Sequence, residues 1–416
     1  MTAIPQANGF DHTVALLREG YEFIGNRCRE LGSDVFEARL MLRRVICMQG
    51  ADAAECFYQP DRLTRVGAIP STVTKLLQGF GSVQLLDDDA HRTRKGMFLS
   101  LLTEERSREL SVITEAEWRL CLQRWQAAPR VVLFDELWGL LTRAALKWVR
   151  MPLEPAEAEK RAEEFQAMIE GTGSLGPRAW AGLLLRSRCD RWARGVIRQV
   201  RAGTIPAPKG SALWVIAQYR DERLGTPLHV TAAANELINL LRPVAAASLY
   251  ILFAAEKLHS HPEWRQRIAE GDEKGLEHYA QEIRRVSPFF AFIAGRVRKP
   301  FKWRTINFEE RDWVLLDIFG TNRDSRTWDK PSMFNPDRFR ECAPSLFNLI
   351  PQGGGDQSVT HRCPGERATL ELIKTSLLLL TRAMSYDVPK QDLSVSLARI
   401  PTRPNSGFVI SNVKAL

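Results

Sequence analysis

The stretch from Phe347 to Arg367, FNLIPQGGGDQSVTHRCPGER, constrains this chain more than any other. Its run of breakers (Pro351, Gly353, Gly354, Gly355) predicts a loop ahead of Cys363. Directly afterwards ATLELIKTSLLLLTRAMSYDV predicts a long, mostly apolar helix, and Pro364 suits the start of one. The thiol therefore belongs at a loop tip against a helix N-terminus. The positive end of that helix, with Arg362 and His361 beside it, favours thiolate over thiol. A single exposed thiolate of this kind serves as a nucleophile, a redox sensor or a lone-cysteine metal ligand. A helix-start cysteine without chemistry is the plain alternative. These residues by themselves leave all four readings open.

Two further patterns precede the cysteine. Glu282-Ile283-Arg284-Arg285 sets a Glu and an Arg three apart on one helix face. Phe334-Asn335-Pro336-Asp337-Arg338-Phe339 lies between that helix and the loop. With these elements in this order, nearly the whole chain resembles the cytochrome P450 superfamily, in which a Cys-x-Gly loop gives haem iron its thiolate ligand. The resemblance implies one large domain over residues 1–416, mainly α with a small β portion. It implies haem b as cofactor, with Cys363 as the axial iron ligand. It also implies that Glu282 and Arg285, with partners near Arg338, hold the haem-side core and take no catalytic part.

Composition bounds the rest. A chain of 416 residues has room for two or three domains or for one large core. No internal repeat, low-complexity tract or linker divides it, which favours one compact unit. A formal net charge of +9 fits nucleic acid, an anionic membrane surface or acidic small substrates as partners. No lysine block, recognition-helix pattern or aromatic RNA-binding motif accompanies the charge, so nucleic acid is set aside. The opening MTAIPQANGFDHTVALLREGYEFIGN has no uninterrupted apolar run and no signal-peptide pattern, which predicts neither secretion nor a transmembrane anchor. Seven scattered cysteines without CxxC pairing fit the reducing cytoplasm.

Along the chain, helical spacing runs from Asp11 to Cys28. The segment SVQLLDDDAHRTRKGMF reads as a strand-like piece, an acidic turn and a basic helix. Here the resemblance implies haem-propionate binding, for which Arg65, His91 and Lys95 are the candidates; a solvated basic helix face is the alternative. Residues 155–200 are helical around a break at GTGSLGPRAW, which is expected to form a loop beside the substrate cavity. A long apolar helix begins at Leu228 and is interrupted by Pro243. The final IPTRPNSGFVISNV reads as a hairpin closed by Pro-Asn-Ser-Gly.

One departure from the superfamily pattern matters most. Most members carry an acid-Thr pair midway along the cavity helix to deliver protons to iron-bound dioxygen. Here the stretch reads Asn239-Leu240-Leu241-Arg242-Pro243-Val244. A buried Arg on an apolar helix is expensive without an anionic partner, and Glu236, six residues back, is off the shared face. Either Arg242 reaches solvent or another carboxylate of the fold, or its partner is a substrate carboxylate. The loop start Ile350-Pro351-Gln352-Gly353, with Gln352 roughly where phenylalanine is common, is a second departure. Both resemble the bacterial fatty-acid peroxygenase branch, whose members use hydrogen peroxide directly and hydroxylate or decarboxylate long-chain fatty acids.

That resemblance implies a fatty-acid carboxylate clamped by Arg242, room for it opened by Pro243, and no obligatory redox partner. Gln84 is expected to face the cavity and bear on product choice, since relatives with Gln in this place tend toward hydroxylation and those with His toward decarboxylation. Leu77, Gln78, Ile169 and Phe289 are further cavity candidates. A redox-partner-dependent monooxygenase, a decarboxylase forming alkenes and a non-catalytic haem sensor or fatty-acid carrier are the competing readings.

Overall fold

A computed structural model describes residues 4–152, 154–174, 176–221 and 225–416. Helices dominate it, and one stretch organises them. The helix Val230–Ala246 runs almost without pause into Ser248–Ser260, and nearly every side chain of both is buried. Among the described residues this is the one stretch long and apolar enough to cross a membrane. It is instead the central core element, with 94% of its most apolar window buried inside the protein. The helices Leu133–Trp148 and Pro177–Arg201 pack on its N-terminal half. The first of these buries Leu137, Trp138, Leu141 and Trp148 completely or nearly so. Side chains of this size contribute about 1.5–3 kcal/mol each on burial.

The β portion lies mainly at one side. A five-stranded sheet has the order Val35–Leu40, Arg43–Met48, Trp313–Asp317, Phe292–Val297, Leu63–Thr64. Only the pairing of Arg43–Met48 with Trp313–Asp317 is parallel. Its central strands are continuous apolar runs because helices and loops cover both faces.

Several expectations need correction. The strand-like piece at Val83 is a 3₁₀ turn, Val83–Leu85: the Val83 N–H is taken by the Glu236 carboxylate, so no strand partner is required. The helix from Asp11 is two, Thr13–Glu19 and Phe23–Leu31, divided at Gly20, whose φ of +55° and contact with the Leu397 carbonyl exclude a continuous helix. The interruption expected at Pro243 falls instead at Ala247. The terminal segment does turn at Pro404–Gly407, but its strand Val409–Ala415 pairs with Val131–Val132 and Met384–Asp387 rather than closing a hairpin. The break before Pro177 is present, although Leu175 within it lies outside the described residues.

The Glu282 pair forms as expected. Arg285 grips Glu282 through two bonds of 2.7 and 2.8 Å, and Arg338 Nε donates to the same carboxylate at 3.2 Å. All three side chains are buried or nearly so. Glu282→Ala leaves two guanidiniums in the core without their anion, an imbalance that costs about 3–5 kcal/mol. The expected result is a lower yield of folded protein and a lower haem-to-protein absorbance ratio, with turnover per bound haem little changed. Normal yield and haem content would contradict this.

Candidate active site

The cysteine loop is fixed from several sides. The Cys363 N–H donates to the Gln352 carbonyl at 2.9 Å, and Gln357 Nε2 donates to the Cys363 carbonyl at 2.6 Å. Gln352 also uses its side chain, accepting from Arg284 Nε at 3.0 Å and donating to Thr369 at 3.0 Å. Gly353, at φ +96°, passes so close to Arg362 that a Cβ would lie 3.0 Å from its Cα. The helix Glu366–Leu378 then begins as expected.

The electrostatics of the thiol differ from expectation. Cys363 is half-buried rather than exposed. Burial raises its pKa, outweighing the Gly365 N–H that lowers it. Arg362 is turned to Glu366 at 2.6 Å, and burial keeps the His361 imidazole neutral. The neighbours therefore do not make the thiolate on their own. A coordinated metal deprotonates a thiol outright.

Arg65 and His91 come together with His361, and Lys95 stands behind them. The His91 and His361 rings lie 4.0 Å apart. Arg65 is buried under the Ala294 carbonyl and over the rings of Phe57 and Tyr58. Lys95 is partly redirected: it donates to the carbonyls of Thr360 and of Arg362 (2.6 Å for the latter), pinning the helix Asp88–Leu101 to the cysteine loop. Burial pushes His91 down to about 4 and Lys95 to about 8, with neighbouring cations adding to both. Basic groups gathered in this way, with no carboxylate bonded to any of them among the described residues, fit an anionic ligand.

Arg242 is the second focus. It is 5% exposed, and its neighbour Glu236 is 0%. Nη1 donates to the Leu76 carbonyl at 3.1 Å, and Nη2 donates to the Leu77 carbonyl and to Asn239 Oδ1, the latter at 3.3 Å. Nε has no protein acceptor. The acids in its surroundings are taken: Glu236 by Arg94 at 3.0 Å and Asp190 by Arg186 at 2.7 Å. Arg186, itself fully buried, also donates to the Leu76 carbonyl, so two guanidiniums share one acceptor. Burial, and then the charge of Arg186, push Arg242 down to about 9, which leaves it charged at neutral pH. The carbonyl end of the short helix Ser71–Leu77 offers only partial negative charge in return. Pro243 is exposed although Arg242 and Val244 on either side are buried.

Of the remaining candidates, Leu77 and Gln78 meet this site through their backbone carbonyls, the second accepting from Asn239 Nδ2 at 2.8 Å. The Gln78 side-chain oxygen is buried without a partner. Gln84 Oε1 accepts from Asn239 Nδ2 at 3.1 Å. Phe289 stacks on Tyr250 with centroids 4.7 Å apart, and Ile169 packs at the edge of the main core. The structure thus ties Gln84, Gln78 and Arg242 together through Asn239. Sequence reasoning missed Asn239, and it left Arg94 unassigned. The signal was there: Asn239 stands three before Arg242 and three after Glu236, a helical neighbour of each although those two do not share a face.

Haem fits these residues. Among the described residues no group of three or more His, Cys, Asp or Glu side chains is placed to hold a bare metal ion. A single cysteine therefore suits a metal whose other ligands come with it. Arg65, with the neutral imidazoles of His91 and His361 beside it as hydrogen-bond donors, suits the two carboxylates that haem carries.

No protein-family model matches the chain. Solved structures do. Cytochrome P450SP alpha (CYP152B1), solved with (R)-ibuprophen, is 43% identical, with 98% of this chain and 99% of that chain covered at a TM-score of 0.94. Cytochrome P450EX alpha (CYP152N1) with myristic acid is 38% identical, with both chains fully covered at a TM-score of 0.96. A variant of cytochrome P450 OleT with arachidonic acid is 30% identical, with 100% and 99% covered at a TM-score of 0.96. The three bound molecules differ in shape and share a carboxylate.

Proposed function

Because this chain belongs to the cytochrome P450 superfamily, in the branch of P450SP alpha and P450EX alpha, we propose that it is a cytoplasmic haem-thiolate peroxygenase. It uses hydrogen peroxide to hydroxylate long-chain fatty acids at Cα or Cβ. The observation that carries this reading is Arg242, a buried, charged guanidinium with no carboxylate of its own. Cys363 would hold the haem iron through its sulfur, and Arg65, His91 and His361 would meet the haem carboxylates. Bound haem iron supplies the activation of peroxide and the insertion of oxygen into the C–H bond.

The chain's own residues do the rest. Arg242 Nε and the free directions of its fork bind a substrate carboxylate, which fixes the acid end of the chain and so the carbons presented for oxidation. Pro243 lacks an N–H, so the Asn239 carbonyl one turn earlier has no helical donor, although the helix itself runs on to Ala246. The bound carboxylate is also the acid-base group of the pocket. It takes up a proton at one carboxylate oxygen and gives that same proton back from there, a task Glu236 does not take because Arg94, the Val83 N–H and Asn239 enclose it.

The redox-partner reading requires a docking face for an electron carrier. The concave surface beneath the cysteine loop carries cations that are already paired: Arg362 with Glu366, Arg367 with Glu104, and Lys374 with Glu277 and Glu371. An acidic carrier has to break these pairs to bind. The experiment that separates the two readings compares haem-loaded protein given fatty acid and hydrogen peroxide with the same protein given reductase, carrier and dioxygen. Peroxide alone should support turnover. Turnover only with the carrier would favour the monooxygenase, and none with either would favour a sensor or carrier protein.

Gln84 decides between products. Because Asn239 donates to its Oε1, the amide NH₂ of Gln84 is the end left for the cavity. The main products should be 2- or 3-hydroxy acids with terminal alkene minor, and Gln84→His should raise the alkene share. Gas chromatography with mass detection reads the ratio; dominant alkene from the native protein would refute this assignment.

A further inference from the structure

Five apolar side chains crowd one corner of the molecule in open solvent. Phe10, Val14 and Leu17, 73%, 58% and 44% exposed, recur at helical spacing along one face of Thr13–Glu19 and its lead-in. Met41 and Leu42, 50% and 70% exposed, form the two-residue turn joining strands Val35–Leu40 and Arg43–Met48. The two pieces are locked together. The Met41 N–H donates to Thr13 Oγ1 at 2.6 Å and the Leu42 N–H to Asp11 Oδ2 at 2.7 Å, while the Arg39 guanidinium lies 5.5 Å from the centroid of the Phe10 ring.

The turn runs against local preference. Met41 and Leu42 sit at φ +52° and +61°, the geometry that Asn-Gly adopts without strain. Two bulky apolar residues held there, pointing outward, are costly to the fold and mark a place where something other than folding sets the sequence. Arg18, Arg39 and Arg43 ring the patch, all exposed and none paired with a carboxylate among the described residues; the next arginine, Arg44, is held by Glu37 and Asp312.

From this arrangement we infer that this face docks on a lipid bilayer bearing anionic headgroups. The apolar chains enter the interface and the arginines meet the phosphates. A second copy of the chain suits the face less well, because a two-fold contact would set the same unpaired arginines against one another.

The test is co-sedimentation of the full-length, haem-loaded protein with vesicles of phosphatidylcholine, alone or mixed with phosphatidylglycerol. Binding should be strong to the mixed vesicles, weak to the neutral ones and reduced by salt. Arg18→Gln and Arg43→Gln should each weaken it about fivefold. The double variant Met41→Asn, Leu42→Gly should lose at least about tenfold in binding, while its Tm rises because the turn gains its preferred residues. Equal pelleting of native and double variant, or no preference for anionic vesicles, would overturn the inference. So would a native dimer in light scattering that the double variant disperses, which would make a second copy the occupant.

Discussion

Arg242→Ala should lower the efficiency of peroxide-driven fatty-acid oxidation by about 30-fold to several thousand-fold while haem stays bound. The range follows from the cost of removing one partner of a desolvated charge pair, roughly 2–5 kcal/mol. The native guanidinium is already desolvated and charged, with only carbonyls and an amide oxygen as acceptors, so it is organised for an anion before any arrives. The variant removes the anchor and with it the carboxylate that handles the proton. The fold should survive, because Arg186 still donates to the Leu76 carbonyl and Glu236 keeps Arg94. Thermal melts and the haem absorbance ratio check that survival; product yield at several fatty-acid concentrations checks the loss. In the native protein a short carboxylic acid should fill the same place and allow peroxide to oxidise a non-acidic substrate. A variant that keeps its activity on fatty acids would remove Arg242 from the mechanism and make the redox-partner monooxygenase the leading reading.

Cys363→Ser should abolish the ferrous-CO absorption band typical of thiolate ligation and, with it, peroxide turnover. The thiolate's role is to push electron density onto iron and favour O–O cleavage, which a serine hydroxyl does poorly. The loop itself should hold, since its fixed points are the Cys363 backbone, Gln352, Gln357 and Lys95 rather than the sulfur. Haem content and far-ultraviolet circular dichroism therefore separate loss of ligation from loss of fold. An unchanged CO spectrum in the variant would show that another residue is the ligand.

Legibility in the sequence followed the range of the interactions. The cysteine loop, the Glu282 pair and the apolar cavity helix are written in contiguous residues, so their spacing was enough to place them. Arg242 was legible for a different reason: a charged residue in a run of buried ones has to be explained. What the sequence did not show is set by contacts between distant segments. The turn at Val83 is 3₁₀ because Glu236, 153 residues away, takes its N–H. Arg94 looked like one more solvated base until the fold placed it against that same Glu236. The thiol of Cys363 looked favoured by its neighbours because proximity in sequence says nothing of where Arg362 points, and it points at Glu366. The strand Val409–Ala415 found its partners at Val131–Val132 and Met384–Asp387, pairings no local turn signal predicts.

The substrate carboxylate at Arg242 is tested most directly by one comparison. Haem-loaded native protein is given hydrogen peroxide with a saturated long-chain fatty acid or with its methyl ester, without reductase, and the products are identified by mass spectrometry. The free acid should yield 2- or 3-hydroxy acid, and the ester, which offers Arg242 no charge and holds no proton to pass, should yield almost nothing. Equal oxidation of acid and ester would contradict the account.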